Sequence, residues 1–205
     1  DLSMVICSKC KLLQLEHNFN ADEMYGDNYG YMSSLNKSMV SHLKLKALSL
    51  KKRYNFKETN NILDIGSNDG TSLGVYPPGK YSLLGIDPSG EKFMDHYPSG
   101  VKLVPDFFSG EIVNDAAQGK KAKVITSFSM FYDLEDPIAF AREIEESLDD
   151  DGIWVCEQSY LPAMLMANSF DTICHEHLEF YSLRQIDWIA EKAGLKVIDV
   201  KFNDI

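Results

Sequence analysis

Short apolar runs alternate with helical windows along most of the chain, and this alternation restricts the fold more than any other feature. The apolar runs cover residues 61–66, 81–87, 101–104, 123–128, 152–157 and 195–200. The windows with helical spacing or helix boundary signals cover residues 36–54, 91–97, 110–118, 137–148 and 183–193. Strands that alternate with helices predict an α/β fold, in which a mostly parallel sheet carries helices on both faces.

Composition excludes several kinds of partner. The 205 residues are 44% hydrophobic and 25% charged, which is typical of a globular domain and not of a disordered or fibrous chain. Twenty Lys and Arg against 31 Asp and Glu give a net charge of −11, and such a surface repels nucleic acid. No window approaches the ~18 consecutive apolar residues of a membrane span, so we expect no membrane partner.

The turns that follow the first three apolar runs carry residues suited to a nucleoside. Ligands of an open parallel sheet bind beyond the carboxyl ends of its strands. Gly66 and Gly70 let the backbone approach a ligand closely, and their spacing differs from the G-x-G-x-x-G of a pyrophosphate cradle. Asp87 is placed to accept ribose hydroxyls, and Asp106 beside Phe107 suits the N6 group and flat face of adenine.

These turns resemble motifs I to III of the class I S-adenosylmethionine-dependent methyltransferases. The matching stretches read DIGSNDG from Asp64, GIDPS from Gly85 and DFF from Asp106. The resemblance implies a Rossmann-like methyltransferase fold with S-adenosylmethionine as the methyl donor. It assigns Asp64, Gly66 and Asn68, with Ser67 in the same turn, to the methionine end; Asp87 and Pro88 to the ribose; Asp106 and Phe107 to adenine; and Ser127, Phe128 and Ser129 to the methyl-transfer side.

A second cluster of reactive side chains lies in residues 170–183, which read FDTICHEHLEFYSL. The simplest interpretation is a solvated loop, or histidines that hydrogen-bond to the backbone. A metal site is a second interpretation, although the stretch lacks the H-E-x-x-H spacing of a helical zinc site. Acid–base chemistry is a third, because histidine titrates near neutral pH and a neighbouring carboxylate orients it.

This stretch resembles the nucleotide-sugar C-methyltransferases of deoxysugar pathways, which carry FDTIYHEHLSYFSL after the fifth strand. The family also has a Tyr-x-Tyr-x-Ser-Ser motif, matched here by residues 29–34. The resemblance implies that His177, assisted by Glu176 beside His175, removes the proton next to the ketone of a nucleotide-linked keto sugar. Tyr29 or Tyr31 would orient that ketone, and the resulting enolate would take the methyl group.

Two stretches depart from this family. Cys174 stands where the family has tyrosine, so a phenol role at that position is lost. Residues 127–136 lack the Asn-Asn…His pattern that the family usually has after the fourth strand. These departures affect the prediction of the acceptor more than the prediction of the reaction class.

A C-x-x-C pair, Cys7 and Cys10, matches the last pair of the small zinc-binding lobe with which that family begins. Tetrahedral zinc needs four ligands, so we expect half a site here, with its partners upstream and with zinc held only by the full-length protein. Residues 1–35 then form the remnant of that lobe and a substrate-side loop. Residues 36–205 form the donor-binding domain, and the family's seventh strand and C-terminal domain would follow residue 205.

Other functions remain open at this point. The four cysteines do not form a secreted disulfide framework, which favours a reducing cytoplasm. An O- or N-methyltransferase would use the same donor with another acceptor. A nicotinamide dehydrogenase is disfavoured by the absence of G-x-G-x-x-G, and a catalytically silent binding domain would keep the fold without the chemistry.

Overall fold

The computed structural model describes residues 2–25, 29–54 and 56–203. Residues 1 and 205, the outer ends of the two predicted domains, lie outside the described residues. The strands are β1 (Met4–Ile6), β2 (Leu13–Leu15), β3 (Asn61–Ile65), β4 (Ser82–Ile86), β5 (Val101–Val104), β6 (Ala122–Phe128), β7 (Leu148–Glu157) and β8 (Glu179–Phe180). The α-helices are α1 (Ala21–Tyr25), α2 (Lys37–Tyr54), α3 (Gly110–Ala116), α4 (Pro137–Ser147), α5 (Leu161–Ala167) and α6 (Leu183–Lys192).

The chain divides into two compact units. The first, called here the sheet unit, comprises Phe19–Met130 and Ser147–Glu157. The second, called here the histidine unit, comprises Asp1–Asn18, Phe131–Glu146 and Gln158–Ile205. The predicted domain boundary at residue 35 stays a prediction.

The sheet unit holds a five-stranded parallel sheet in the order β5-β4-β3-β6-β7. The chain starts in the middle at β3, builds outward to β5, and then returns to the other side of β3 with β6. The parallel α/β prediction is thereby confirmed. The strand order reverses between β3 and β6, which opens a crevice at the carboxyl ends of these two strands.

Both faces of the central strands are buried, as expected for a parallel sheet covered on both sides. Ile62 and Val124 form a core cluster with Ala47 of α2. Leu63 and Ile125, one residue further along each strand, lie on the opposite face and are also buried. The sheet is therefore a rigid platform that fixes the loops at its carboxyl edge.

The histidine unit contains a second, antiparallel sheet in the order β1-β2-β8. Leu13 of β2 lies opposite Phe180 of β8, so residues 167 positions apart in the chain pair directly. Helix α6 begins with a capping box between Ser182 and Gln185. The Gln185 side chain donates a hydrogen bond of 2.9 Å to the carbonyl of Cys10, which ties the helix to the C-x-x-C turn.

Some elements differ from the sequence predictions. The strand predicted over residues 195–200 is wrong, because those residues form no strand in the structure. The helix predicted over residues 91–97 is a 3-10 helix, Gly90–His96. The first 35 residues, predicted as a lobe remnant and a loop, contain β1, β2 and α1. No helix in the described part of the chain has the length and apolar character needed to cross a bilayer.

Candidate functional site

The glycine turn after β3 lies at the reversal of strand order. Gly66, Asn68 and Gly70 all adopt left-handed backbone conformations, with φ of 69°, 51° and 74°. The amide of Gly66 donates a 2.9 Å hydrogen bond to the carbonyl of Ile86, which fixes the turn on the neighbouring strand β4. A Cβ at Gly66 would lie 3.2 Å from the side chain of Met130, so the tight turn has little room for a larger residue.

Asp64, the penultimate residue of β3, is a buried carboxyl group at this edge. Its Oδ1 accepts a hydrogen bond of 2.5 Å from the hydroxyl of Thr126 on β6. Burial raises the pKa of Asp64 to about 7, and the negative charge of Asp87 adds to this effect against the hydrogen bond from Thr126. An approaching cation would favour the ionised form of this carboxyl.

Asp87 directly follows β4 and is held in one orientation by neighbouring donors. Its Oδ2 accepts from the amide of Asn68 at 2.8 Å, and its Oδ1 accepts from the amide and hydroxyl of Ser89 at 2.7 and 2.5 Å. A carboxylate offers about four acceptor positions, so Oδ2 retains capacity for a ligand hydroxyl. The structure therefore places Asp87, the residue predicted to bind the ribose, next to the glycine turn.

Asp69, which lies in the glycine turn itself, is the third buried carboxyl group at this edge of the sheet. Its hydrogen bonds differ from those of Asp64. Its oxygens accept hydrogen bonds from the amide and hydroxyl of Thr71 and from the amide of Ser34. Burial raises the pKa of Asp69, but these hydrogen bonds outweigh that effect and hold the pKa below its ordinary value. Three buried carboxyl groups therefore lie on one turn and the neighbouring strand ends, where they create a negative potential.

The Tyr-x-Tyr-x-Ser-Ser motif is fastened to the same turn. The side chain of Asn68 donates to the carbonyl of Tyr31 and accepts from the amide of Ser33, both at 2.9 Å. The amide of Ser34 is bound by Asp69 at 2.9 Å. Sequence reasoning assigned Asn68 to a ligand, whereas in the structure its side chain positions residues 31–33.

The two predicted tyrosines differ in their surroundings. Tyr31 is half exposed. The ring of Tyr29 lies against Tyr25, with a distance of 5.3 Å between ring centroids, and its carbonyl accepts a hydrogen bond from Lys92. The structure therefore places the motif at the turn and leaves the choice between the two hydroxyls to experiment.

The predicted adenine side lies beyond β5. Asp106 and Phe107 are both exposed at the carboxyl end of this strand, and the Asp106 carboxylate accepts from the amide of Phe107 at 2.7 Å. The amides of Asp87 and Asp106 both donate to the carbonyl of Val104, which joins the ends of β4 and β5. Pro88, also predicted, is half buried between Asp87 and Ser89.

The residues predicted on the methyl-transfer side have separate environments. Ser127 is fully buried, and its hydroxyl accepts from the indole of Trp154 at 2.9 Å. Phe128 is half buried, whereas Ser129 is exposed with a φ of 54°. The amide of Ser129 donates to the carbonyl of Glu157, which links the ends of β6 and β7.

An ion cluster at the end of β7 was not found by sequence reasoning. Glu157 contacts the imidazole of His42 and the ammonium of Lys46, each at 2.5 Å, and both partners lie one turn apart on α2. The available signal was a glutamate at the end of an apolar run, combined with a His and a Lys at i and i+4 on a predicted helix. The pairing itself joins residues 115 positions apart, which no local pattern reveals.

The histidine unit brings its predicted residues together at a bend. His177 is half buried, and its Nδ1 lies 2.6 Å from the carbonyl of Thr172, which can only accept, so Nδ1 carries the proton. This tautomer leaves Nε2 as a base or ligand. The ring of Tyr132 lies 4.3 Å from the imidazole, centroid to centroid, while His175 and Glu176 are exposed.

The C-x-x-C pair, Cys7 and Cys10, lies on a backbone turn. The amide of Lys11 donates to the carbonyl of Cys7 at 3.0 Å, which closes the turn. Backbone hydrogen bonds from Cys10 and Lys9 lower the pKa of the Cys7 thiol. Two thiols fit half of a tetrahedral zinc site, and within the described residues no further metal-ligating side chain joins them in a group of three.

Comparison with known proteins supports the fold and the family. A family model described as a methyltransferase domain matches residues 39–200. The C-methyltransferase NovU of Streptomyces niveus is 27% identical over all 205 residues, and the chain spans about half (49%) of that curated relative.

Solved structures similar to this chain share its fold. A chain of a complex with the Haloferax volcanii Trm112 methyltransferase activator has a TM-score of 0.62 and 16% identity, covering 81% of this chain and 74% of that one. An O-methyltransferase family protein of Burkholderia thailandensis has a TM-score of 0.62 and 14% identity, covering 83% and 54%. With the family model matching most of its length, the chain belongs to the methyltransferase-domain family, the class I S-adenosylmethionine-dependent methyltransferases.

Proposed function

We propose that the sheet unit binds S-adenosylmethionine and that the protein methylates a carbon atom of a nucleotide-linked keto-deoxysugar. The observation that carries the donor assignment is the set of three buried carboxyl groups, Asp64, Asp69 and Asp87, at the reversal of strand order. When bound, the donor supplies an electrophilic methyl group on a cationic sulfonium. Buried carboxylates attract that cation and lose the attraction once the sulfur becomes neutral.

Each part of the proposed donor site follows from an element of the sheet. Asp64, Gly66 and Ser67 lie toward the methionine end, Asp87 and Pro88 toward the ribose, and Asp106 and Phe107 toward adenine. The exposed face of Phe107 suits stacking with a flat base. Ser127, Phe128 and Ser129 line the side of methyl transfer, and Asn68 acts through its backbone and through its hold on residues 31–33.

The acceptor assignment rests on the chemistry of His177. Carbon is a poor nucleophile until a proton next to a ketone is removed, and this requires a base. The Nδ1–H donation to Thr172 leaves Nε2 with a lone pair, which takes that proton and leaves an enolate. Glu176 assists this step, and Tyr29 or Tyr31 donates a hydrogen bond to the ketone oxygen. The name of the 27% identical relative, a C-methyltransferase, supports this choice.

The experiment that tests the proposal separates its two halves. The full-length protein is incubated in D₂O with a nucleotide-linked 4-keto-6-deoxysugar and without donor, and deuterium at the adjacent carbon is followed by NMR. Exchange is expected, because enolate formation does not need the methyl group. Calorimetry with S-adenosylhomocysteine measures donor binding separately.

Each outcome has a defined meaning. Donor binding with exchange supports the whole proposal, whereas donor binding without exchange removes the carbon acceptor and favours oxygen or nitrogen methylation. Absence of donor binding overturns the assignment of the sheet unit.

A further inference from the structure

The bend before β8 brings three metal-ligating side chains of different chemistry together. The ligand atoms of Cys174, Glu176 and His177 all lie within 4.8 Å of one another. We propose that these three residues form a site for a thiophilic divalent cation of the Zn²⁺ class. This site is distinct from the Cys7–Cys10 turn and does not depend on the proposed function.

The local backbone explains why this short segment can hold a metal. Residues 174–176 form a bend, so side chains at i, i+2 and i+3 converge instead of alternating between faces as they would on a strand. Thr172 anchors the start of the bend, because its hydroxyl contacts the sulfur of Met164 and its carbonyl binds His177. At the other end, the amide of Leu178 donates to the carbonyl of Tyr132 at 3.0 Å.

His177 is already oriented as a metal-ligating histidine is. Such histidines usually donate their second ring N–H to a carbonyl or carboxylate, which fixes the tautomer and raises the basicity of the ligating nitrogen. The Nδ1–H of His177 donates in this way to Thr172 at 2.6 Å, and the ring of Tyr132 restrains the imidazole. Nε2 is therefore the ligating atom.

The donor set selects the kind of cation. A thiolate, an imidazole and a carboxylate suit zinc and related borderline ions, whereas Mg²⁺ and Ca²⁺ prefer oxygen alone. Three protein ligands leave one tetrahedral position open. Ligand atoms in such a site lie about 3.3–3.8 Å apart when metal–ligand distances are 2.0–2.3 Å, so the bend closes slightly around the ion.

Metal binding and proton removal would compete for the same atom. The lone pair of His177 Nε2 cannot hold a cation and accept a proton together. This consequence, unlike the metal site itself, rests on the proposed function: a bound cation is expected to inhibit the exchange reaction. Cys174 supplies the thiolate of this site. Metal sensitivity is thus expected to depend on Cys174.

Cobalt(II) titration tests the site, because cobalt bound to thiolate gives a near-ultraviolet charge-transfer band. The full chain carrying Cys7→Ser and Cys10→Ser is used so that this turn contributes no thiolate. We expect one Co²⁺ per chain, displaced by Zn²⁺, and a loss of affinity of at least about 10²-fold in the further variants Cys174→Ser and His177→Ala. Cys156→Ala, which removes a half-buried cysteine outside the cluster, is expected to keep the band.

Either of two results would overturn the site: no charge-transfer band in the Cys7→Ser, Cys10→Ser chain, or an equal band after Cys174→Ser. Should that double variant lose its circular dichroism, the same comparison is made by metal analysis, where Cys174→Ser in the otherwise unchanged chain removes one equivalent. Because the readout is metal binding, deuterium exchange without metal binding refutes the site and leaves the proposed reaction intact.

Discussion

Reactive side chains gather in two regions of the molecule, one in the sheet unit and one in the histidine unit, and the two regions differ in burial and in backbone structure. Asp64, Asp69 and Asp87 are buried at the ends of parallel strands, and each carboxyl group is fixed by hydrogen bonds from neighbouring strands or turns. The cluster at 174–177 lies on an irregular bend with His175 and Glu176 exposed. In the proposed function, the donor that a whole family shares binds at the sheet, and the acceptor that varies binds at the loop.

The largest expected effect comes from the cluster at residues 174–177. His177→Ala is expected to lower the rate of solvent exchange next to the ketone by about 10²–10⁴-fold, because a general base contributes this much to proton removal. The measurement is deuterium incorporation by NMR in the absence of donor.

A matched substitution controls for the loss of an imidazole. His17→Ala removes an exposed histidine of the same unit and is expected to leave the rate unchanged. An unchanged rate in His177→Ala would exclude this residue as the base.

The contrast between the two regions also explains which parts were predictable from sequence. The parallel strands and α2, α3, α4 and α6 follow from local apolar spacing, and the structure confirms them. The proximity of Gly66 and Asp87 was predictable because the parallel pairing of β3 and β4 brings the ends of these strands together, whatever the conformation of the loops.

Long-range pairing accounts for what sequence reasoning missed. The three-residue strands β1 and β2 are too short to show a period, and β8 pairs with β2 across most of the chain. Residues 195–200 have the composition of a strand, but a strand also requires a neighbouring strand to pair with, and no strand in the described part of the chain pairs with these residues. The convergence of Cys174 with His177 depends on a bend that residue types alone do not specify.

The second prediction concerns the buried carboxyl groups of the sheet unit. Asp87→Asn is expected to weaken binding of S-adenosylhomocysteine by about 10–100-fold, because a hydrogen bond to a charged acceptor contributes about 1.5–3 kcal/mol. The measurement is isothermal calorimetry. Asp95→Asn, an exposed aspartate of the following 3-10 helix, serves as the control and is expected to bind normally. Equal affinities in the two variants would contradict the ribose assignment.

The third prediction uses pH to compare the units. Burial raises the pKa of Asp64 from 3.8 to about 7, so between these values the folded chain binds more protons than the unfolded chain. The free energy of unfolding is therefore expected to fall as pH rises from about 4 to about 7, by on the order of 1–3 kcal/mol from this group. Chemical denaturation across this range measures the slope.

Two variants show how much of this pH dependence of the free energy of unfolding comes from each unit. Asp64→Asn is neutral at every pH and is expected to remove the Asp64 part. Burial also raises the pKa of Glu179 in the histidine unit to about 8 from 4.5, so Glu179→Gln is expected to flatten the remaining decline between those values. A slope unchanged by Asp64→Asn would show that its carboxyl is not buried in the folded state.

The smallest expected effect isolates the link between the glycine turn and the tyrosine motif. Asn68→Ala removes two hydrogen bonds, to Tyr31 and from Ser33, and is expected to lower stability by about 1–2 kcal/mol. Hydrogen exchange distinguishes this from general loosening, because the amide of Ser33 loses its partner while that of Ser34 keeps Asp69. Exchange at Ser33 is therefore expected to accelerate about tenfold relative to Ser34. Asn68→Gly relieves the strain of the left-handed backbone but also lacks the side chain, so its Ser33 amide should exchange as fast as that of Asn68→Ala. Protection of the Ser33 amide retained in either variant would mean that the turn does not hold the motif.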